Sequence, residues 1–480
     1  MDSKRNRSSN FSETELKLLE DYASRLNSEI IELRKQVQEM RIDRQLRSFP
    51  SWLFKKIKRA LKAHLSERTK NRIKVLYSWS FNHSHKQSIS RDSGMNSLGS
   101  SNDDKSILIL AHNYPTSDNN YGGQHIERRV SFYKAAGYEV SIFVPTKGTR
   151  KKPLNANDGT PLYFAPLSQI EKVVKQTNTG QLAIHSPTPD IFESTKQLML
   201  DLPTHIWIHG FEARSWRELI SDFSAEEIAT QGKRLDMANV ERQWTLSELF
   251  TNPDINKIFV SEYMRTVAEE FARTPALDSH VIHNVIDPNL FPYIPKSEEM
   301  RMRICSIRNF GKRNYATDLM SQTIFILSKM PWFSKLSIEI FGDGKHFEQD
   351  TAPLLSFKNV KLQKSFVGAE LLKGIFLRNG IGLLPTRWDS QGMLNGEAMS
   401  TGVVPISNAV TAIPEFISER EGILADPENA KQLAEGISAL IENPTQFLAM
   451  SESAQVRVRN QCGPDVTVQR EIDLFEKACL

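Results

Sequence analysis

The chain has 480 residues, 39% of them hydrophobic and 25% charged, which allows two or three cored domains and excludes a wholly disordered or fibrous protein. The net charge of +4 is uneven: residues 1–100 hold 21 Lys+Arg against 11 Asp+Glu, and the remainder holds 40 against 46, so the positive excess belongs to an N-terminal extension. No apolar run approaches the roughly 18 residues of a membrane helix. The N-terminus lacks a secretory apolar core. Three cysteines without paired spacing (Cys305, Cys462, Cys479) argue against a disulfide framework or a zinc site and for a reducing, cytoplasmic setting.

In chain order, residues 1–46 come first as a predicted coiled coil. Leu16, Leu19, Ala23, Leu26, Ile30, Leu33, Val37 and Met40 follow an unbroken 3-4 spacing among polar residues. Residues 16–40 are therefore expected to pair with a second copy of the chain or with a coiled-coil partner. Residues 47–81 form a basic amphipathic segment. Within 44–74 there are 11 Lys+Arg and one acid, Glu67. Leu53, Ile57, Ala60, Leu61 and Leu65 share one helical face, with lysines opposite and Trp52 and Phe54 at the start. That composition suits a helix lying on an anionic membrane surface, so a peripheral position at the inner face of the cell membrane is expected. A solvated basic helix and a nucleic-acid patch are the alternatives. No nucleic-acid fold motif accompanies the charge, and no nucleic-acid partner is expected. Residues 82–105 are rich in Ser, Asn, Gly and Asp and read as a linker.

From residue 106 short apolar strands alternate with helical stretches. Strands are predicted at Ser106–Ala111, Glu139–Val144, Leu182–His185, His205–His209, Lys257–Val260 and His280–His283. After a proline-bearing break at Pro288–Glu299 the pattern resumes at Arg301–Ile307, Leu336–Phe341, Val360–Gln363, Ile381–Leu384 and Val404–Ile406. Continuous apolar strands between helices imply parallel sheets covered on both faces, here twice over. The fold class is α/β, with Rossmann-like domains at 106–295 and 296–463 and a C-terminal helix in 464–480. Ligands are expected at the C-terminal strand ends.

The richest segment is Leu384-Pro385-Thr386-Arg387-Trp388-Asp389-Ser390-Gln391-Gly392-Met393-Leu394-Asn395-Gly396-Glu397-Ala398-Met399-Ser400-Thr401-Gly402-Val403-Val404-Pro405. It reads as strand end, glycine loop, short helix, glycine turn and strand, with the acids Asp389 and Glu397 bracketing the loop. A helix N-terminus after such a loop offers backbone N–H groups and a positive dipole end to an anion. Further upstream, Arg308 and Arg313 follow a strand with Lys312 between them. Phe341-Gly342-Asp343-Gly344 is a strand-end glycine turn, Tyr121-Gly122-Gly123-Gln124 opens a helix after the first strand, and His209 ends a strand.

These motifs resemble the retaining glycosyltransferase family numbered four, over roughly residues 105–475. The resemblance implies the GT-B fold, with two Rossmann-like halves across a cleft, and transfer of a sugar from a nucleotide-diphosphate donor to a glycan. It implies no cofactor and no catalytic metal. Residue by residue, it implies that Glu397 holds ribose hydroxyls and that Asp389 lies beside the transferred sugar. Arg308 and Arg313 would grip the diphosphate with Lys312 as a neighbouring candidate. Gly392, Met393 and Leu394 would present backbone N–H groups, Gly342 would lie near the nucleotide, Gly122 and Gly123 would close over the cleft, and His209 would bond the reacting sugar. The family usually has Glu where Asp389 stands and Lys where Arg313 stands. Ser261-Glu262, Ile413-Pro414-Glu415 and His283-Asn284-Val285-Ile286-Asp287 resemble architectural landmarks of the family. The basic extension suggests a lipid-linked acceptor in surface polysaccharide synthesis. Two other readings stay open: a coiled-coil scaffold carrying an inactive transferase-like body, and a nucleotide-sugar epimerase.

Overall fold

The structure is a computed structural model and describes residues 103–116, 122–148, 154–156 and 158–478. The expected coiled coil, the basic segment and Cys479 lie outside the described residues. Two sheets dominate what is described. The first has eight strands in the order β3-β4-β2-β1-β5-β6-β7-β8. They are β1 (Asp103–Leu110), β2 (Glu139–Pro145), β3 (Leu154–Asn155), β4 (Pro161–Ala165), β5 (Thr179–His185), β6 (Thr204–Ile208), β7 (Ile255–Phe259) and β8 (Ser279–Val281). All its pairs are parallel except β3 with β4. The second sheet is wholly parallel, in the order β11-β10-β9-β12-β13-β14. Its strands are β9 (Arg303–Ile307), β10 (Ser337–Gly342), β11 (Val360–Lys364), β12 (Ile381–Leu383), β13 (Val404–Asn408) and β14 (Ile423–Ala425).

The period-two geometry of strands explains the apolar runs. In β1, Leu108 and Leu110 enter one core while Ile107 and Ile109 enter the core on the opposite face. In β9, Ile304 and Cys305 divide in the same way. The predicted strands match these elements within a few residues. Three strands were not expected from the sequence, the edge strands β3 and β14 and the interior β4, and β1 begins three residues inside the stretch read as linker.

The chain leaves the first sheet after β8 and enters the second at β9. It returns through helix Val468–Lys477, whose Val468, Ile472 and Phe475 join the core under the first sheet. One buried carboxylate fixes this helix. Glu471 accepts from Tyr133 Oη (2.5 Å), Trp207 Nε1 (2.9 Å) and Arg129 Nε (3.3 Å). Fully buried acids persist when paired and hydrogen-bonded in this way. Among the described residues, no helix is long and apolar enough to cross a membrane.

Candidate functional site

Parallel strands carry their C-terminal ends, and the loops that follow them, to one edge of each sheet. The loop after β12 meets the first domain there. Trp388 packs against the first domain's core, its ring 3.5 Å from the Arg214 guanidinium. Gly210, after β6, lies so close to that ring that a Cβ would sit 2.8 Å from it, and its φ of 158° is extended. Ser261 caps helix Glu262–Ala272 by accepting from Met264 N and donates its hydroxyl proton to Ser390 O at 2.7 Å. Glu415 accepts from the N–H groups of Glu262 (2.9 Å) and Tyr263 (2.5 Å). The two landmark segments, Ser261-Glu262 and Ile413-Pro414-Glu415, thus cap one helix end across the domain boundary.

Helix Met393–Ser400 starts at Gly392, whose φ of 76° belongs to the left-handed region; a Cβ there would meet Ile413 at 2.7 Å. Asp389 ties down the loop just before the helix: its carboxylate accepts from Gly392 N (2.8 Å) and Gln391 N (3.3 Å). Among the described residues, no acceptor takes the N–H groups of Met393 and Leu394. Arg308 follows β9, is 6% exposed, and donates through one terminal nitrogen to Leu384 O. Its Nε has no partner. Burial lowers its pKa to about 10, opposed by the nearby charges of Asp389 and Tyr315. Arg308, Asp389 and a helix start with free N–H groups therefore form one locus.

Glu397 lies deeper in the same helix, buried, and forms an ion pair with Arg128 on helix Gln124–Ala135 of the first domain. Desolvation raises the Glu397 pKa and Arg128 opposes the rise. Arg128 was not singled out in the sequence; it stands 269 residues from its partner, and only the folded chain brings them together.

Other expected residues take different places. Arg313 is bound bidentately by Asp350, both oxygens at 2.9 Å from Nη1, and Thr317 Oγ1 donates to the same carboxylate at 2.5 Å. Its guanidinium thereby ties the loop after β9 to helix Phe347–Thr351. Lys312 beside it is exposed. Gly342 serves backbone packing: a Cβ would fall 1.9 Å from Arg308 O, so this glycine lets the loops after β9 and β10 lie flush. Gly123 has φ 83° and begins helix Gln124–Ala135 against Asn113 O, 2.3 Å from where a Cβ would stand; Gly122 precedes it, half-buried. His209 is not solitary. Its Nε2 is 2.8 Å from Nδ1 of His185, and His125 meets its ring edge-on at 4.5 Å.

Gln391 also lacked any signal in the sequence. Its side-chain oxygen accepts from Asn284 N (2.7 Å) and Asn284 Nδ2 (2.9 Å), and its Nε2 donates to Asn284 O (3.0 Å). Asn284 Oδ1 in turn accepts from Arg129 at 3.1 Å. A continuous set of hydrogen bonds thus joins the glycine loop, the interdomain segment, the first domain and the returning helix.

Comparison with known proteins agrees with this architecture. Residues 325–457 match the family model of glycosyl transferases group 1. A stretch of 103 residues is 34% identical to an uncharacterized 41.2 kDa protein in the cps region of Klebsiella pneumoniae, covering 21% of this chain and 28% of that relative's length. Sucrose-phosphate synthase from Thermosynechococcus elongatus superposes with a TM-score of 0.61 at 13% identity, over 78% of this chain and 98% of that one. Anabaena HepE, solved with UDP and glucose, gives 0.56 at 13% identity over 78% and 99%. The starch synthase IV catalytic domain of Arabidopsis thaliana, bound to ADP and acarbose, gives 0.55 at 11% identity over 78% and 99%. Identities this low speak to the fold alone. The described chain is an α/β protein of the GT-B fold, and its residues 325–457 match glycosyl transferases group 1.

Proposed function

We propose that this chain is a retaining glycosyltransferase that moves a sugar from a nucleotide-diphosphate donor to a glycan acceptor in surface polysaccharide synthesis. The observation that carries the reading is the locus of Arg308, Asp389 and the helix start at Met393–Leu394. A buried cation with an unpartnered Nε and two free N–H groups beside it suits a diphosphate whose charge grows as it leaves. The group 1 match supports the reaction class. UDP in HepE and ADP in starch synthase IV support a nucleoside diphosphate as the leaving group. The relative from a cps region supports a polysaccharide setting.

In this scheme the sugar C1–O bond to the diphosphate breaks while the acceptor oxygen bonds to C1 on the same face. The departing phosphate oxygen takes the acceptor proton, so no side chain is a nucleophile and the anomeric configuration is retained. Arg308 and the helix start stabilise the departing diphosphate without a metal at that point, and Asp389 fixes the loop through the N–H groups of Gln391 and Gly392. Glu397 receives the ribose hydroxyls. Because Arg128 holds Glu397 in the structure, donor binding has to share or displace that guanidinium. A lipid-linked acceptor at the membrane face belongs to the same proposal and rests on the basic segment 44–74.

The test is melting of the purified chain with UDP-, GDP-, dTDP- and ADP-sugars, followed by nucleotide release with an acceptor extract. One nucleotide class should raise the Tm by mass action, and the rise should vanish in Glu397→Ala. A folded chain that neither shifts nor releases nucleotide with any donor would refute the transferase and leave the scaffold reading. Acceptor-independent release of nucleotide would point to the epimerase.

A further inference from the structure

We propose that His125, His185 and His209 form a three-imidazole site for a borderline divalent metal ion of the zinc or cobalt class, at the edge of the eight-stranded sheet. The three side chains come from separate elements that the topology brings together. His185 ends β5, His209 follows the adjacent strand β6, and His125 is the second residue of helix Gln124–Ala135. One ring nitrogen of each lies within 4.8 Å of those of the other two. The tightest pair, His185 Nδ1 and His209 Nε2, is 2.8 Å apart.

A tetrahedral zinc ion with bonds of about 2.0–2.1 Å spaces its ligand nitrogens about 3.3 Å apart. The close pair has to part by roughly half an ångström, and His125 has to approach by no more than roughly 1.5 Å. Bridging also settles a competition between the two rings, since a single proton now lies between two nitrogens that would each become a metal ligand.

The surroundings hold the rings in place. His185 stacks on Trp207 (4.6 Å, 14°) and on His209 (5.1 Å, 17°), and is 2% exposed with Nε2 unpartnered. Arg129 adds positive charge nearby, but Glu471 pairs with it at 3.3 Å. The buried Glu212 carboxylate accepts from His209 N (2.5 Å) and Gly210 N (3.1 Å) beside the cluster.

Three nitrogen ligands without a carboxylate select zinc, cobalt or nickel over magnesium and calcium. Three ligands also leave a coordination position for an oxygen, either water or a hydroxyl. The three ligands all come from the first domain, and the metal test does not depend on the chain being a transferase.

The experiment uses the full chain, stripped with chelator, desalted, equilibrated with cobalt or zinc, and desalted again. Bound metal is counted by elemental mass spectrometry, and the visible absorption of low-coordinate cobalt is recorded. About one equivalent per chain is expected, falling below about a tenth in His125→Gln and in His185→Gln. Circular dichroism checks the fold of each variant. His125, half-buried in a first helical turn, provides the decisive variant should His185→Gln fail to fold. Less than about a tenth of an equivalent on the wild-type chain, or equal retention by wild type and His125→Gln, would overturn the site.

Discussion

The two domains share one fold pattern but line their facing edges with different chemistry. The C-terminal domain offers Arg308, left-handed Gly392 and the free N–H groups of a helix start, which is equipment for an anion. The N-terminal domain offers a cluster of three imidazoles and an arginine, Arg128, already paired with a carboxylate of its neighbour. Similar strand-helix topology therefore does not set the ligand; the few residues just beyond each strand do. The sharpest version of the contrast lies within one loop, where Arg308 and Arg313 follow the same strand and have opposite fates.

That contrast gives the largest expected effects. Arg308→Ala should lower transfer about 10²–10³-fold, the range for removing one preorganised donor to a developing charge, with kcat falling at saturating donor. Arg313→Ala should instead unfold the chain more easily. It strips the bidentate partner from Asp350, which is 3% exposed at its side chain, and breaking a buried pair costs about 3–5 kcal/mol. Denaturant titration beside single-turnover kinetics separates the two. Equal catalytic losses at unchanged stability would erase the distinction.

Next in size is the Arg128–Glu397 pair across the domains. Arg128→Leu leaves a buried carboxylate without its cation and should cost about 3 kcal/mol, and Glu397→Gln in the same chain should recover most of it. The pH dependence has a definite sign. Burial already lifts the folded-state pKa of Glu397 above its ordinary 4.5, so the folded state holds that proton more tightly than the unfolded state. Stability from this group is therefore complete below pH 4.5 and is lost as pH rises through the folded value. Without Arg128 the folded value rises further, so the deficit of Arg128→Leu should widen between pH 5 and 7. A pH-independent deficit would mean that Glu397 is not the group left exposed to the change.

The part of the candidate site around Arg308 and Gly392 was legible in the sequence for a physical reason. Arg308, Gly392 and the helix start act through local backbone geometry, and local geometry is written in contiguous residues. The same holds for the apolar runs of the central strands, which are buried on both faces. What escaped notice depends on pairings distant in sequence. Arg128 meets Glu397 only through domain closure, and His125 and His185 join His209 only through the strand order. The edge strands β3 and β14 were hidden by brevity, with two and three residues, too few to show alternation, and the interior β4 opens on Pro161. Arg313 stands on the loop where its spacing put it, but spacing could not show its ion pair with Asp350, 37 residues away.

Gln391 tests whether the glycine loop is positioned from the first domain. Gln391→Leu keeps the volume but leaves the backbone N–H and C=O of Asn284 unpaired, which costs about 1–3 kcal/mol. If the hydrogen bonds also hold the loop for the donor, kcat should fall about tenfold, the equivalent of about 1.4 kcal/mol in the barrier, with donor KM nearly unchanged. A stability loss with unaltered kcat would reduce Gln391 to a structural tie.

The smallest effect concerns the cysteines. Cys305 in β9 and Cys462 at the end of helix Pro444–Cys462 are both buried, and burial pushes each thiol up to about 12. The thiolate is the reactive form, so both should resist alkylation at neutral pH in the folded chain. Peptide mapping after iodoacetamide should find both unlabelled until denaturant is added. The two thiols also distinguish the sheet from the interdomain region. Cys305 is buried within the second sheet, while Cys462 borders the Gln391–Asn284 contact, with Gln391 Nε2 3.7 Å from its sulfur. If the domains part transiently, Cys462 should label before Cys305, and faster in Gln391→Leu. Simultaneous labelling in both proteins would mean that the second domain opens only by unfolding, and that the hydrogen bonds of Gln391 do not govern the motion of the loop.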